Sequence, residues 1–107
     1  MAQPERRASE RFAYRPESRP LLILGEQAYE ILDLGERGLR VHCGDPERWL
    51  LGSVIDGTVW FQRDSRMSVS GTVVRASAGE LVLKLNGGGI PAQALLDELR
   101  YIHAPRR

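Results

Sequence analysis

The alternation of apolar and polar residues is the strongest structural signal in this chain. In residues 39–42 leucine and valine alternate with arginine and histidine, and residues 81–85 repeat the same period of two. This pattern is typical of a strand with one buried face. Further apolar runs lie between turn-forming residues, at 21–24, 29–34, 58–62 and 67–76. About six short strands separated by turns predict an antiparallel barrel or sandwich.

Glycine, proline and acidic residues mark the predicted connections between these strands. Residues 35–38, 44–47 and 77–79 are interpreted as turns or loops, and residues 63–66 as the loop of a hairpin. The dipeptide Asp56-Gly57 is also a turn signal, so we expect the chain to turn there.

A helix is predicted near the C-terminal end. The glycines at 87–89 interrupt the strand pattern, Pro91 suits the first turn of a helix, and Pro105 ends it. Apolar residues then recur at intervals of three and four, which predicts one stripe that packs against the barrel. The residues of this stripe are Ala92, Leu95, Leu96, Leu99 and Ile102.

The chain divides into three parts by composition. Residues 1–20 carry three prolines and many charges, and are expected to form a flexible, extended arm. Residues 21–103 are expected to form the barrel and helix as one compact domain, since 107 residues suit a single domain. Residues 104–107 are interpreted as a solvated tail.

Several classes of protein are disfavoured by what the sequence contains. Cys43 is the only cysteine, which argues against a disulfide framework and a multi-cysteine zinc site. His42 and His103 belong to no ligand-spaced motif, and no nucleophile–base signature is present. We therefore expect no metal, no cofactor, no catalytic residue and no enzymatic activity. Without an apolar leader or an apolar run of about 18 residues, a cytoplasmic protein without membrane insertion is expected.

Arginine dominates the basic residues. The formal net charge is only +1, which does not argue for a nucleic-acid polymer as partner. Lys84 is the only lysine among 15 basic residues, and five arginines fall within residues 1–19. The planar guanidinium suits guanine edges and phosphates. A base-composition bias of the genome is the alternative explanation.

Two short segments are candidates for binding chemistry. Arg6, Arg7 and Arg11 form a cluster that could clamp guanine bases and phosphates, or could be a solvated tail. The segment 33–38 reads Asp-Leu-Gly-Glu-Arg-Gly, and its aspartate and glycines also suit a simple hairpin turn.

Together the two segments resemble the PilZ domain family. That family has RxxxR near its N-terminus and, some 20–30 residues later, [D/N]xSxxG between two strands. The arginine spacing matches at residues 6–11, and the second motif matches at Asp33 and Gly38. The resemblance covers roughly residues 5–103. It implies a six-stranded antiparallel β-barrel with a C-terminal α-helix and an extended N-terminal arm, and cyclic di-GMP as ligand.

The resemblance also implies a role for each motif residue. Arg7 and Arg11, assisted by Arg6, would hold guanine edges and phosphates. Asp33 would accept hydrogen bonds from guanine N1–H and N2–H. Gly38 would permit the ligand to approach the backbone closely.

Gly35 departs from the family, because it stands where PilZ domains have a serine hydroxyl at the ligand site. A lost neutral hydrogen bond is worth about 0.5–1.5 kcal/mol. We therefore expect the ligand site, which includes Gly35, to bind cyclic di-GMP. Its affinity is expected to be lower than that of a site with the family serine.

Two other functions remain open at this point. A PilZ domain that has lost ligand binding would act as a protein-interaction adaptor, and Gly35 favours this alternative. A small barrel that binds RNA or single-stranded DNA would need aromatic and basic residues interleaved on its strands, whereas the arginines cluster in the arm. In either PilZ interpretation a protein partner, which the sequence does not identify, is expected.

Overall fold

The structure, a computed structural model, describes residues 11–103, with the backbone alone for Arg11 and Phe12. Its strands are β1 Arg11–Ala13, β2 Leu21–Leu24, β3 Gln27–Gly35, β4 Gly38–His42, β5 Val54–Trp60, β6 Arg66–Ser77 and β7 Glu80–Leu85. The helix α1 spans Ala92–His103, and short 3₁₀ turns lie at Pro16–Ser18 and Pro46–Arg48.

Strands β2 to β7 close into a barrel. They pair in the order β3, β2, β5, β6, β7, β4, and β4 pairs again with β3. Every pairing is antiparallel. This arrangement confirms the predicted six-stranded antiparallel barrel with a C-terminal helix.

The period of two in the sequence explains which side chains fill the barrel. In β4 Leu39 and Val41 are fully buried, while Arg40 is half-buried and His42 is exposed. The apolar residues of β2 and β7 alternate in the same way, because successive side chains of a strand point to opposite faces. In β3 a register irregularity between Ile31 and Asp33 interrupts the alternation, so that Ile31 and Leu34 both lie in the core. The residues with the most deeply buried side chains in this core are Leu22, Ile31, Leu34, Leu39, Val41, Val59, Val73, Leu81, Leu83 and Ile90.

The predicted turn at Asp56-Gly57 is wrong, because both residues lie in the middle of β5. Gly57 serves a different purpose there. A Cβ at this position would lie 2.6 Å from Leu24 Cδ2 and 2.8 Å from the carbonyl oxygen of Ile23. The glycine allows β2 to approach β5 closely, a use of glycine within strands that a turn signal does not distinguish.

The segment that precedes the barrel strands lies against the barrel. β1 pairs with the end of β3, and the amide of Tyr14 continues this ladder by donating to the carbonyl of Leu32 at 2.9 Å. Tyr14 and Pro20 are buried. Residues 1–10 and 104–107 lie outside the described residues. The flexible arm predicted over residues 1–20 and the solvated tail predicted over residues 104–107 therefore stay predictions.

The helix α1 begins and ends close to its predicted bounds, but its buried face differs from the predicted stripe. Leu95 and Ile102 pack against the core, as expected. Ala92 and Leu96 are exposed instead, and Glu98 is completely buried. The buried face is therefore centred on a charged residue, which apolar spacing alone does not predict.

Candidate functional site

The last residue of the first motif, Arg11, lies beside the second motif, residues 33–38, at one edge of the barrel. Residues 36–37 connect β3 to β4, and Asp33 lies near the end of β3 with a side chain only 10% exposed. β1 runs antiparallel to this end of β3, with Arg11 opposite Gly35 and Ala13 opposite Asp33. From Arg11, the last residue of the arginine motif, the chain therefore runs along the strand that carries Asp33.

The structure describes only some of the predicted ligand contacts. Arg6 and Arg7 lie outside the described residues, and Arg11 is described by its backbone alone. Gly35 and Gly38 are buried where β3 ends and β4 begins. For these residues, as for Asp33, the role of ligand contact stays a prediction.

Asp33 is the first member of a charge chain, formed with Arg40, Glu80 and Arg75, that crosses the barrel surface. Arg40 Nε donates to Asp33 Oδ2 at 2.8 Å, and Arg40 Nη1 donates to Glu80 Oε2 at 2.8 Å. The other oxygen of Glu80, Oε1, accepts from Arg75 Nη2 at 2.8 Å. The four side chains come from β3, β4, β7 and β6, in the order in which these strands pair.

These contacts orient the guanidinium of Arg40. Its hydrogen bonds to Glu80 and then to Asp33 raise the pKa of Arg40 above its ordinary value. Sequence analysis missed the role of Arg40 and Glu80. The alternation in β4 does place Arg40 on the outer face, but its partner Glu80 is 40 positions away, and only the pairing of β4 with β7 brings the two together.

The segment after β7 contacts the connection between β3 and β4. The amide of Ile90 donates to the carbonyl oxygen of Glu36 at 2.8 Å. Gly89 next to it has φ +71°, and a Cβ at Gly89 would overlap that same carbonyl oxygen. Glycine is required here both by its backbone conformation and by the close approach. In the sequence these glycines indicated only the end of the strand pattern.

The substitution Gly89→Ala is expected to lower the free energy of unfolding by about 2 kcal/mol, because it combines an unfavourable φ with an overlap against backbone. The matched control is Gly88→Ala, since a Cβ at Gly88 would meet nothing within 4 Å; its expected effect is within about 0.5 kcal/mol. Urea denaturation measures both. An equal loss of stability in the two variants would contradict the explanation that the close approach of Gly89 to the carbonyl oxygen of Glu36 requires glycine.

A second charged cluster lies between the barrel and α1. Arg63 Nε donates to Glu98 Oε1 at 3.0 Å, and Arg63 Nη2 donates to the carbonyl of Ala94 at 3.2 Å. The guanidinium also lies over the ring of Phe61, 4.4 Å from its centroid. Burial and then a hydrogen bond with Glu98 raise the pKa of Tyr14 well above its ordinary value. The cluster thus connects the segment after β1, the β5–β6 hairpin loop and the helix.

The chemistry of the described residues is that of arginine and carboxylate groups. Among residues 11–103 no group of three or more histidine, cysteine, aspartate or glutamate side chains is placed to hold a metal ion. The thiol of Cys43 is buried and lies 3.6 Å from Asp45 Oδ1. Within the same residues, no helix has the length and apolar character needed to cross a membrane.

Comparisons with known proteins agree with this architecture. The family model of the PilZ domain matches residues 5–101. The crystal structure of an uncharacterized Legionella protein superposes with a TM-score of 0.58 at 16% identity, over 90% of this chain and 99% of that chain. At this identity the likeness shows the fold. No curated protein matches the sequence.

Proposed function

This chain belongs to the PilZ domain family, and on this premise we propose that it is a receptor that binds cyclic di-GMP and couples the level of this second messenger to a protein partner. PilZ domains form a family of non-enzymatic cyclic di-GMP receptors. The proposal concerns what this particular chain binds and does.

The pairing of β1 with β3 is the observation that carries the proposal. It sets Arg11 opposite Gly35 and Ala13 opposite Asp33. Residues that are about 20 positions apart in the sequence are thereby neighbours on one barrel edge. A simple hairpin turn at 35–38 and an unrelated solvated tail would not require this pairing.

The residue types at this edge suit a guanine nucleotide that carries phosphates. Arginine donates two parallel hydrogen bonds to guanine O6 and N7 or to a phosphate, and its planar face stacks on a purine. The carboxylate of Asp33 accepts from the N1–H and N2–H of guanine. Arg7, Arg11 and Asp33 would in this way recognise the base and the backbone of the ligand together.

A PilZ adaptor that does not bind cyclic di-GMP is the second candidate. It is favoured by Gly35, which lacks the hydroxyl of the family serine, and by Asp33, whose Oδ2 already accepts from Arg40. Against it stand the intact arginine spacing at residues 6–11 and Asp33 itself, which match the two motifs of the family.

Thermal unfolding with and without cyclic di-GMP tests the proposal. At a ligand concentration about 100 times Kd, binding adds about 2.7 kcal/mol to the stability, which raises Tm by about 10 °C or more. GMP serves as the control and is expected to shift Tm far less, because it lacks the second nucleotide. A Tm that cyclic di-GMP leaves unchanged at concentrations on the order of hundreds of micromolar would favour the adaptor.

A further inference from the structure

The charge chain places a hydrogen-bond donor directly beside the carboxylate that is proposed to accept from guanine. Asp33 and Arg40 are opposite each other in the pairing of β3 with β4. Arg40 Nε lies 2.8 Å from Asp33 Oδ2, and the Arg40 side chain is 32% exposed. The single Nε hydrogen is used in this contact and Nη1 donates to Glu80, so the group that the guanidinium keeps to donate to a ligand is Nη2. It belongs to the half-exposed Arg40 side chain beside the buried carboxylate of Asp33, at the edge where β1 joins β3.

This arrangement is complementary to guanine and not to adenine. The Watson–Crick edge of guanine presents two donors, N1–H and N2–H, beside one acceptor, O6. Adenine presents an amino donor in place of O6 and an acceptor at N1. If adenine took the place of guanine, the carboxylate would face the acceptor N1 and the guanidinium would face the amino donor. Both contacts are unfavourable, and a site excludes the wrong ligand in this way.

The position of the Arg40 guanidinium is determined by residues outside the PilZ motifs. Arg40 Nη1 donates to Glu80 Oε2 at 2.8 Å, and Glu80 is in turn held by Arg75 at 2.8 Å. A side chain that is already ordered loses less conformational entropy when a ligand binds. Arg40 is thus oriented before a base arrives.

We infer that Arg40 is a specificity-determining residue that selects guanine over adenine by donating to O6 of the base bound at Asp33. The inference rests on the proposed binding of cyclic di-GMP. It adds a residue on β4 to a site that the two motifs place on β1 and β3.

Affinities for three cyclic dinucleotides test the inference. Cyclic di-GMP and cyclic di-IMP both carry O6, although the latter lacks the N2 amino group, and cyclic di-AMP lacks O6. The substitution Arg40→Met is expected to weaken binding of the first two by at least about tenfold. Binding of cyclic di-AMP should stay the same or tighten, because the opposed donor is gone.

Two further variants separate recognition from structural support. Arg75→Met removes an arginine of the same charge chain that does not contact Asp33. Because Arg75 acts on Arg40 only through Glu80, this variant should lower the preference for guanine much less than Arg40→Met does. Arg40→Lys keeps the charge without the planar fork and should retain part of the preference; it carries the test if Arg40→Met does not fold.

Equal weakening for all three ligands, or no change for any, would overturn the inference while the proposed function stands. If the unsubstituted chain binds none of the three ligands, the proposed function fails and the inference with it.

Discussion

Replacing Arg63 with methionine is expected to lower the free energy of unfolding by about 3–5 kcal/mol. The side chain of Glu98 is 0% exposed, and Arg63 Nε donates to it at 3.0 Å. Without the guanidinium, the carboxylate of Glu98 is left in the protein interior without its cation. The carbonyl of Ala94, which accepts from Arg63 Nη2, loses a partner as well. Urea denaturation monitored by circular dichroism measures the loss.

Two controls make this prediction specific to the buried pair. Arg100→Met removes an arginine of α1 that is 75% exposed and lies 3.9 Å from Asp97, and such a surface pair is worth about 0–1 kcal/mol. The double substitution Arg63→Met with Glu98→Met removes both charges, and should recover much of the stability. A loss below about 1 kcal/mol in Arg63→Met would contradict the account of a buried ion pair that fastens α1 to the barrel.

Replacing Arg7 with alanine is expected to weaken binding of cyclic di-GMP by about 10- to 150-fold. The substitution removes a charge-assisted contact worth about 1.5–3 kcal/mol together with a stacking face. The matched control is Arg15→Ala, which removes an exposed arginine of the same N-terminal segment outside the motif. Calorimetric titration of both variants gives the affinities. If both substitutions weaken binding equally, then Arg7 contributes only a general electrostatic attraction and makes no specific contact with the ligand.

Gly35→Ser provides the comparison within the second motif. A serine there is expected to supply one neutral hydrogen bond and to tighten binding by roughly 2- to 13-fold. This gain is much smaller than the loss expected for Arg7→Ala. If Gly35→Ser binds less tightly, then the buried backbone opposite Arg11 has no room for a side chain, and Asp33 and Gly38 become doubtful as ligand contacts too.

The sequence predicted those parts of the fold that depend on local pattern. The alternation in β4 and β7 identified both strands and their buried faces, since strand periodicity is a property of neighbouring residues. Asp56-Gly57 was misassigned for the opposite reason. Its local signal favours a turn, but contact of β5 with β2 determines the outcome, and β2 lies more than 30 positions earlier.

The helix and the site show the same limit. Apolar spacing placed α1 correctly but assigned Leu96 to the buried face, which Glu98 occupies instead. Glu98 is stable there because of Arg63, 35 positions away in the β5–β6 loop. In the site, the motifs identified Asp33 and the arginines, while the contact of Arg40 with Glu80 follows from strand pairing that no short motif encodes.

Isothermal titration calorimetry of the unsubstituted chain with cyclic di-GMP is the most direct test of the central claim. Running it at two temperatures ensures that a binding enthalpy near zero at one of them is detected at the other. We expect saturable heat, a stoichiometry of one molecule or of a stacked pair, and little competition by GMP. The absence of heat at both temperatures, with ligand on the order of hundreds of micromolar, would contradict the claim that this chain is a cyclic di-GMP receptor.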